Sequence, residues 1–163
     1  RIALAELSGV AMGGDLPLPA PSATAPSFAV WAAKDPESGN LDRIQIVKGW
    51  VTSDGHSHET VFDVALSDGR ELGPEGKVSP VGTTVNAATA TYDNTIGARQ
   101  LMAVWLDPEF DKSQQAFYYT RVIEIPTPRW TTFDAKALGI EPPEPVSIQE
   151  RAISSAIWYR PPS

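Results

Sequence analysis

Asp54, His56, His58 and Glu59 put four side chains able to hold a metal or move a proton within six consecutive positions. Both histidines of the chain lie in this stretch, and the chain has no cysteine. Alternate residues of a strand face the same way, so His56 and His58 could reach one ion, with Asp54 as a third ligand. The competing reading is a solvated hairpin tip, where Asp, Gly, Ser and His are common because they tolerate turns and bond locally. The hairpin tip is the favoured reading, and a metal site at Asp54, His56 and His58 stands as its alternative.

A second candidate is the stretch IPTPRW at residues 125–130. Two alternating prolines force an extended path and set Arg129 beside Trp130, where a guanidinium next to an indole could grip an anion or stack on a sugar ring. The favoured alternative has Trp130 plugging the end of a sandwich while Arg129 pairs with a carboxylate from residues 107–111. Glu150 and Arg151 precede an apolar stretch, and Arg151 is a candidate for locking the C-terminus or facing a partner domain. Ser154-Ser155 has no neighbouring histidine and no nucleophile-elbow glycines, which makes a serine hydrolase a poor fit. Gly13-Gly14-Asp15 lacks the lysine and the preceding strand of a phosphate loop. No catalytic set is assigned to this chain.

The elements that must position these residues read mostly as strands. Residues 41–68 form two strands joined by a turn, with Ile44, Ile46 and Trp50 on one face and Phe62, Val64 and Leu66 on the matching face of the return strand. Asp54-Gly55 is a hairpin-turn dipeptide inside a loop longer than two residues. Residues 27–33 make a first strand, 89–92 a short one, and 116–125 the surest of the later strands. Residues 100–106, apolar on both faces, suit a central buried strand. Thr132 is placed to cap a short helix over 133–138 that ends at Gly139. Residues 148–159 give a last strand or strand pair, and residues 2–7 one or two helical turns. The sum is an all-β chain, an antiparallel immunoglobulin-like β-sandwich of about seven strands with one or two short helices. Residues 1–26 serve as junction and Pro-rich linker, with residues 16–26 running extended and free of ladder hydrogen bonds, and 27–163 form the sandwich domain.

At 163 residues the chain fits one domain that needs no staples. Its net charge of −7 and 13 scattered basic residues oppose attraction to phosphate backbones, so nucleic acid is not an expected partner. No apolar run approaches the roughly 20 residues of a membrane span. The start, RIALAELSGVAMGG, has neither an initiator Met nor a signal peptide's organisation, which suggests a fragment of something longer.

Four segments together carry a family resemblance: GVAMGGDLP at residues 9–17, KDPESGNLDRIQIVKGW at 34–50, EIPTPRWTT at 124–132 and IQERAISSAIWY at 148–159. In this order they resemble the C-terminal region of a large bacterial domain-of-unknown-function family. Its longer members pair a PHP-like (polymerase and histidinol phosphatase-like) region with a β-rich tail. The resemblance implies an exported parent protein whose N-terminal catalytic region holds divalent metal in a cluster of histidines and carboxylates for phosphoester or related hydrolysis. That cluster has no counterpart in this sequence, so no cofactor is expected in this chain, and its expected partner is the catalytic region of the same polypeptide. The resemblance further places the junction with that region at residues 9–15 and the closing strand at 157–159.

Overall fold

The computed structural model describes residues 9–17, 24–74, 76 and 78–162. The helical turns expected at residues 2–7 and most of the linker, residues 18–23, lie outside the described residues. The strands are β1 (Ser27–Ala33), β2 (Leu41–Val51), β3 (Ser57–Leu66), β4 (Gln100–Leu106), β5 (Gln115–Glu124), β6 (Thr127–Pro128), β7 (Ser147–Ile148), β8 (Arg151–Ile153) and β9 (Ile157–Tyr159). One helix, α1 (Trp130–Leu138), follows β6.

The strands build the antiparallel sandwich read from the sequence, with sheets of unequal width. The broad sheet runs β3-β2-β5, with β8 and β9 both pairing with β5 at different heights, and every pairing is antiparallel. A two-stranded ribbon of β1 and β4 faces it, and β6 and β7 form a small clip at one end. Period-two patterning does the work here. Phe28, Ile46, Ala116, Tyr118 and Tyr159 form the buried core between the sheets, with Val30, Trp50, Val64, Trp105 and Phe110 packed against them. Phe28 lies 4.6 Å from Tyr118 and 5.9 Å from Trp105, ring centre to ring centre, so aromatic contacts join ribbon to sheet. β2 is the central strand and is buried on both faces over most of its length.

Four local expectations change. Residues 100–106 pair only with β1, so β4 is an edge of the narrow ribbon instead of a central strand. Its alternate residues Leu101, Ala103 and Trp105 face the core side, while Met102, Val104 and Leu106 lie open on the other. Residues 89–92 form no strand; the stretch makes one isolated bridge, Asn86 with Thr91. Thr132 does not cap the helix: α1 starts at Trp130 with Arg129 as N-cap, and the buried Thr132 hydroxyl donates to the Val146 carbonyl at 2.7 Å. The C-terminal stretch divides into three short strands, β7 pairing with β6 while β8 and β9 pair with separate parts of β5. Helix α1 does end at Gly139, in the left-handed conformation expected of a C-cap glycine.

The junction is tied to the sandwich. Gly13 N–H donates to the Ala156 carbonyl at 3.0 Å, Leu16 N–H to Trp158 at 2.7 Å, and Trp158 N–H to Gly14 at 3.0 Å. Leu16 thus makes a ladder bond that a free linker would lack.

The long connection from β3 to β4 is held back against β2 at Gly97, whose neighbour Ala98 exchanges backbone bonds with Leu41 at 2.8 and 2.9 Å. Gly97 has φ +78°, and a Cβ there would lie 2.7 Å from the Ile125 side chain, 2.8 Å from Asn40 Cβ and 3.0 Å from the Leu41 carbonyl. Neither fully buried Ile125 nor that backbone can give way. Gly97→Ala is expected to cost about 2–4 kcal/mol from left-handed strain and overpacking, read as a lower urea midpoint with unchanged slope.

Candidate functional site

At the β2–β3 tip, the chain turns through Gly55, at φ +84°. The Thr52 hydroxyl donates to Asp54 Oδ1 at 2.5 Å, and Thr52 N–H to the His56 carbonyl at 2.9 Å. The hydroxyl bond is the largest cause holding the Asp54 carboxyl below its usual acidity range. His56 Nε2 stands 3.8 Å from Asp54 Oδ2, with both side chains mostly in solvent. His58 sits in β3 directly opposite Trp50 and stacks on its ring at 5.3 Å and 18°. The turn therefore sends the two imidazoles to different neighbours, one to a carboxylate and one to an indole. Among the described residues no group of three or more His, Asp or Glu side chains is arranged to hold a metal ion.

Arg129 and Trp130 lie where the β6–β7 clip leads into α1. Arg129 N–H donates to the Val146 carbonyl at 3.0 Å, which fixes the corner. Trp130 is 68% exposed and does not plug the sandwich, because it opens the helix on the solvent side while Thr132 and Ala135 turn inward. Arg151 is exposed on β8, opposite Ile123.

Two polar clusters that spacing could not reveal hold the most deeply buried charged groups among the described residues, Asp42, Lys48 and Asp107. Asp42, fully buried, accepts from Arg43 Nε at 3.0 Å, from Gln149 Nε2 at 2.9 Å and from Arg70 Nη2. The register of β2 against β5 shifts between Leu41 and Arg43, so Asp42 is a bulged residue, and the bulge re-aims its side chain towards these donors. In the second cluster Lys48 Nζ lies 2.7 Å from Asp107 Oδ2 and donates to the Glu109 carbonyl at 2.6 Å, while the Tyr118 hydroxyl donates to Asp107 Oδ2 at 2.7 Å. Burial first, then the Asp107 bond, pushes the Tyr118 hydroxyl well above its ordinary value. Tyr159 donates to the Lys112 carbonyl at 2.8 Å, so the same loop is gripped twice. These partners are far apart in sequence. Neither cluster opens onto a nucleophile with its base, and both read as fastenings of loops to β2 and β5.

Two concave surfaces remain. A groove of about 690 Å³ lies beside the ribbon, walled by Phe28, Ile46, Tyr118, Val122, Ile157 and the junction residues. It exists because a two-stranded ribbon is too narrow to cover a broad sheet. At the hairpin end of that sheet a hollow of about 470 Å³ is lined by Val51, Ser57, Glu59, Gln115, Phe117 and Trp158 from the outer face and by Trp50, His58 and Ala116 from the inner one.

The fold and these surfaces define a β-sandwich module with aromatic and apolar faces turned outward. The chain belongs to the family described as protein of unknown function (DUF3604), whose model matches residues 1–161. No curated protein and no solved structure matches it. No helix among the described residues is long and apolar enough to cross a membrane.

Proposed function

We propose that this chain is a noncatalytic C-terminal β-sandwich of a longer, exported, PHP-like metal-dependent hydrolase, and that it packs on the catalytic region of that polypeptide. The observation that carries this reading is the outer face of the β1–β4 ribbon. Trp31, Met102, Val104 and Leu106 are 63%, 64%, 55% and 54% exposed there, with Trp31 directly across from Met102 and Ala29 from Val104. A contiguous apolar face on a domain of net charge −7 supports a reading in which this surface is covered by a partner region. The resemblance of the four segments supplies the PHP-like partner, the divalent metal it holds and the exported location.

The test compares the 163-residue chain with the full encoded polypeptide, using a chromogenic phosphodiester and monoester with added Mn²⁺ or Zn²⁺. The longer protein is expected to turn over substrate and the isolated chain not. Met102→Asp in the longer protein is expected to lower its melting temperature, and in the isolated chain to leave melting within about 0.5 kcal/mol, as surface changes do. Hydrolysis by the isolated chain that disappears in a His58→Ala variant would overturn the reading.

A second reading, a ligand-binding module for a glycan or a protein, draws on Trp130, which stands in solvent beside Arg129. Loss of binding on a Trp130→Ala change would support it.

A further inference from the structure

We infer that the hollow at the hairpin end of the broad sheet is a subsite for a neutral oligosaccharide. Trp158 and Phe117 supply its stacking surface, with Tyr119 continuing the row beyond its lining, and Glu59, Gln115 and Ser57 supply its polar contacts. This site is separate from the packing face of the ribbon and from Trp130.

The aromatic row is built by the sheet itself. Trp158 on β9 pairs directly with Phe117 on β5, and Tyr119 follows Phe117 two positions on, so all three project from the outer face. Phe117 lies 5.4 Å from Trp158 at 47° and 6.4 Å from Tyr119 at 9°, ring centre to ring centre. Gly49, paired with Phe117 across β2, makes this possible: a Cβ at Gly49 would lie within 2.4 Å of two Phe117 ring carbons. Any other residue at 49 would lift the ring off the strand. The phenyl is therefore settled low, and Trp158, 41% exposed, stands beside it as the wall of a corner.

The rim decides the ligand class. Ser57, Glu59 and Gln115 have exposed side chains around the aromatic corner, offering a hydroxyl, a carboxylate and an amide. Among the described residues no Lys or Arg lines the hollow, and the chain carries net charge −7. An anionic ligand is disfavoured by both facts. A sugar ring needs what is present: electron-rich ring faces against its C–H edges, and paired donors and acceptors for its hydroxyls. The volume falls within the roughly 300–1,000 Å³ of small-ligand clefts. A protein partner would need a far larger surface, on the order of 1,000 Å². Tyr119 extends the row of rings past the hollow, 6.4 Å from Phe117, which favours a chain of sugars over a single one.

The test is a neutral-glycan array followed by titration calorimetry with hexaoses of glucose, mannose, xylose and galactose. At least one neutral glycan is expected to bind. Trp158→Ala and Gln115→Ala should each weaken it by about tenfold, the scale of one lost stacking or hydrogen-bonding contact in a small site, while Leu138→Ala, at an exposed position of α1, leaves it unchanged. The Gln115 side chain is exposed, so that variant tests the site even where Trp158→Ala disturbs β9. Binding of none of these glycans, binding of acidic glycans only, or binding by the Gln115→Ala and Trp158→Ala variants as tight as that of the unaltered chain would each overturn the assignment. Loss in the Trp130→Ala variant alone would move glycan binding to the helix corner. Hydrolase activity of the longer polypeptide bears on none of these outcomes.

Discussion

Asp42→Ala is expected to lower the unfolding free energy by about 3–5 kcal/mol, the cost of removing one partner from a buried ion pair. The carboxylate is fully buried and holds Arg43, Arg70 and Gln149 at once, so its loss leaves the Arg70 guanidinium, itself largely buried, without its opposing charge among the described residues. Arg70 would keep its bonds to the Asp42, Ser67 and Ser79 carbonyls, which satisfy its donors and do nothing for its charge. Asp42→Asn separates the two effects, since it preserves shape and one acceptor. A loss of about 1.5–3 kcal/mol is expected for it, the range for a hydrogen bond to a charged group. Urea unfolding reads both as falls in midpoint at constant slope. Against a typical total of about 5–15 kcal/mol, the alanine variant would sit near the edge of folding. A loss below about 1 kcal/mol would mean that the cluster is incidental. The large value is expected because this one residue joins three segments: the β2 bulge, the turn after β3, and the approach to β8.

The same residue explains what the sequence could and could not disclose. β1 is legible because its buried and open residues alternate with period two, with Phe28, Val30 and Ala32 on the inner face as that pattern requires, and β5 because the same alternation opens it, with Ala116 and Tyr118 buried. The Asp54-Gly55 turn is legible for the same local reason. β4 is not, because QLMAVWL states that both faces are apolar and leaves out how many sheets are present to cover them. Trp130 misleads likewise: a tryptophan after two prolines looks like a plug until the helix starts beneath it. The candidate site shows the sharper limit. Asp54, His56 and His58 drew attention by adjacency, yet the fold sends the two imidazoles to different neighbours. Asp42 meets Gln149 across 107 positions, and Lys48 meets the Glu109 carbonyl across 61, separations no spacing rule reaches. The aromatic corner is hidden in the same way, since Gly49, Phe117 and Trp158 converge only through the register of three strands.

Asp107→Ala is expected to match the Asp42 variant in scale, about 3–5 kcal/mol, because it strands the buried ammonium of Lys48. Lys48 is 3% exposed, and among the described residues its remaining hydrogen-bond partner is the Glu109 carbonyl, which neutralises no charge. Lys48→Met alone strands Asp107 in turn, though the Tyr118 hydroxyl and the Glu109 N–H, at 2.9 Å, still reach that carboxylate. The double variant Lys48→Met with Asp107→Leu removes both charges together, and it is expected to be more stable than Asp107→Ala, since apolar replacement of a buried pair is often neutral. A double variant no better than the sum of its parts would show that the two charges are not coupled. Tyr118 adds a dependence on pH whose sign follows from its raised value. The tyrosine stays protonated in the folded protein at pH values where the unfolded chain ionises, near 10. Its contribution is therefore complete below about pH 10 and is lost as pH rises above it towards the folded value. Tyr118→Phe should cost about 1.5–3 kcal/mol at neutral pH through the lost bond to Asp107. It should also flatten the alkaline fall in stability, leaving the part due to Tyr159, which burial likewise raises. Urea midpoints at pH 7 and pH 11 for the two proteins measure the difference. An unchanged alkaline fall in the phenylalanine variant would remove Tyr118 from the account of stability at high pH.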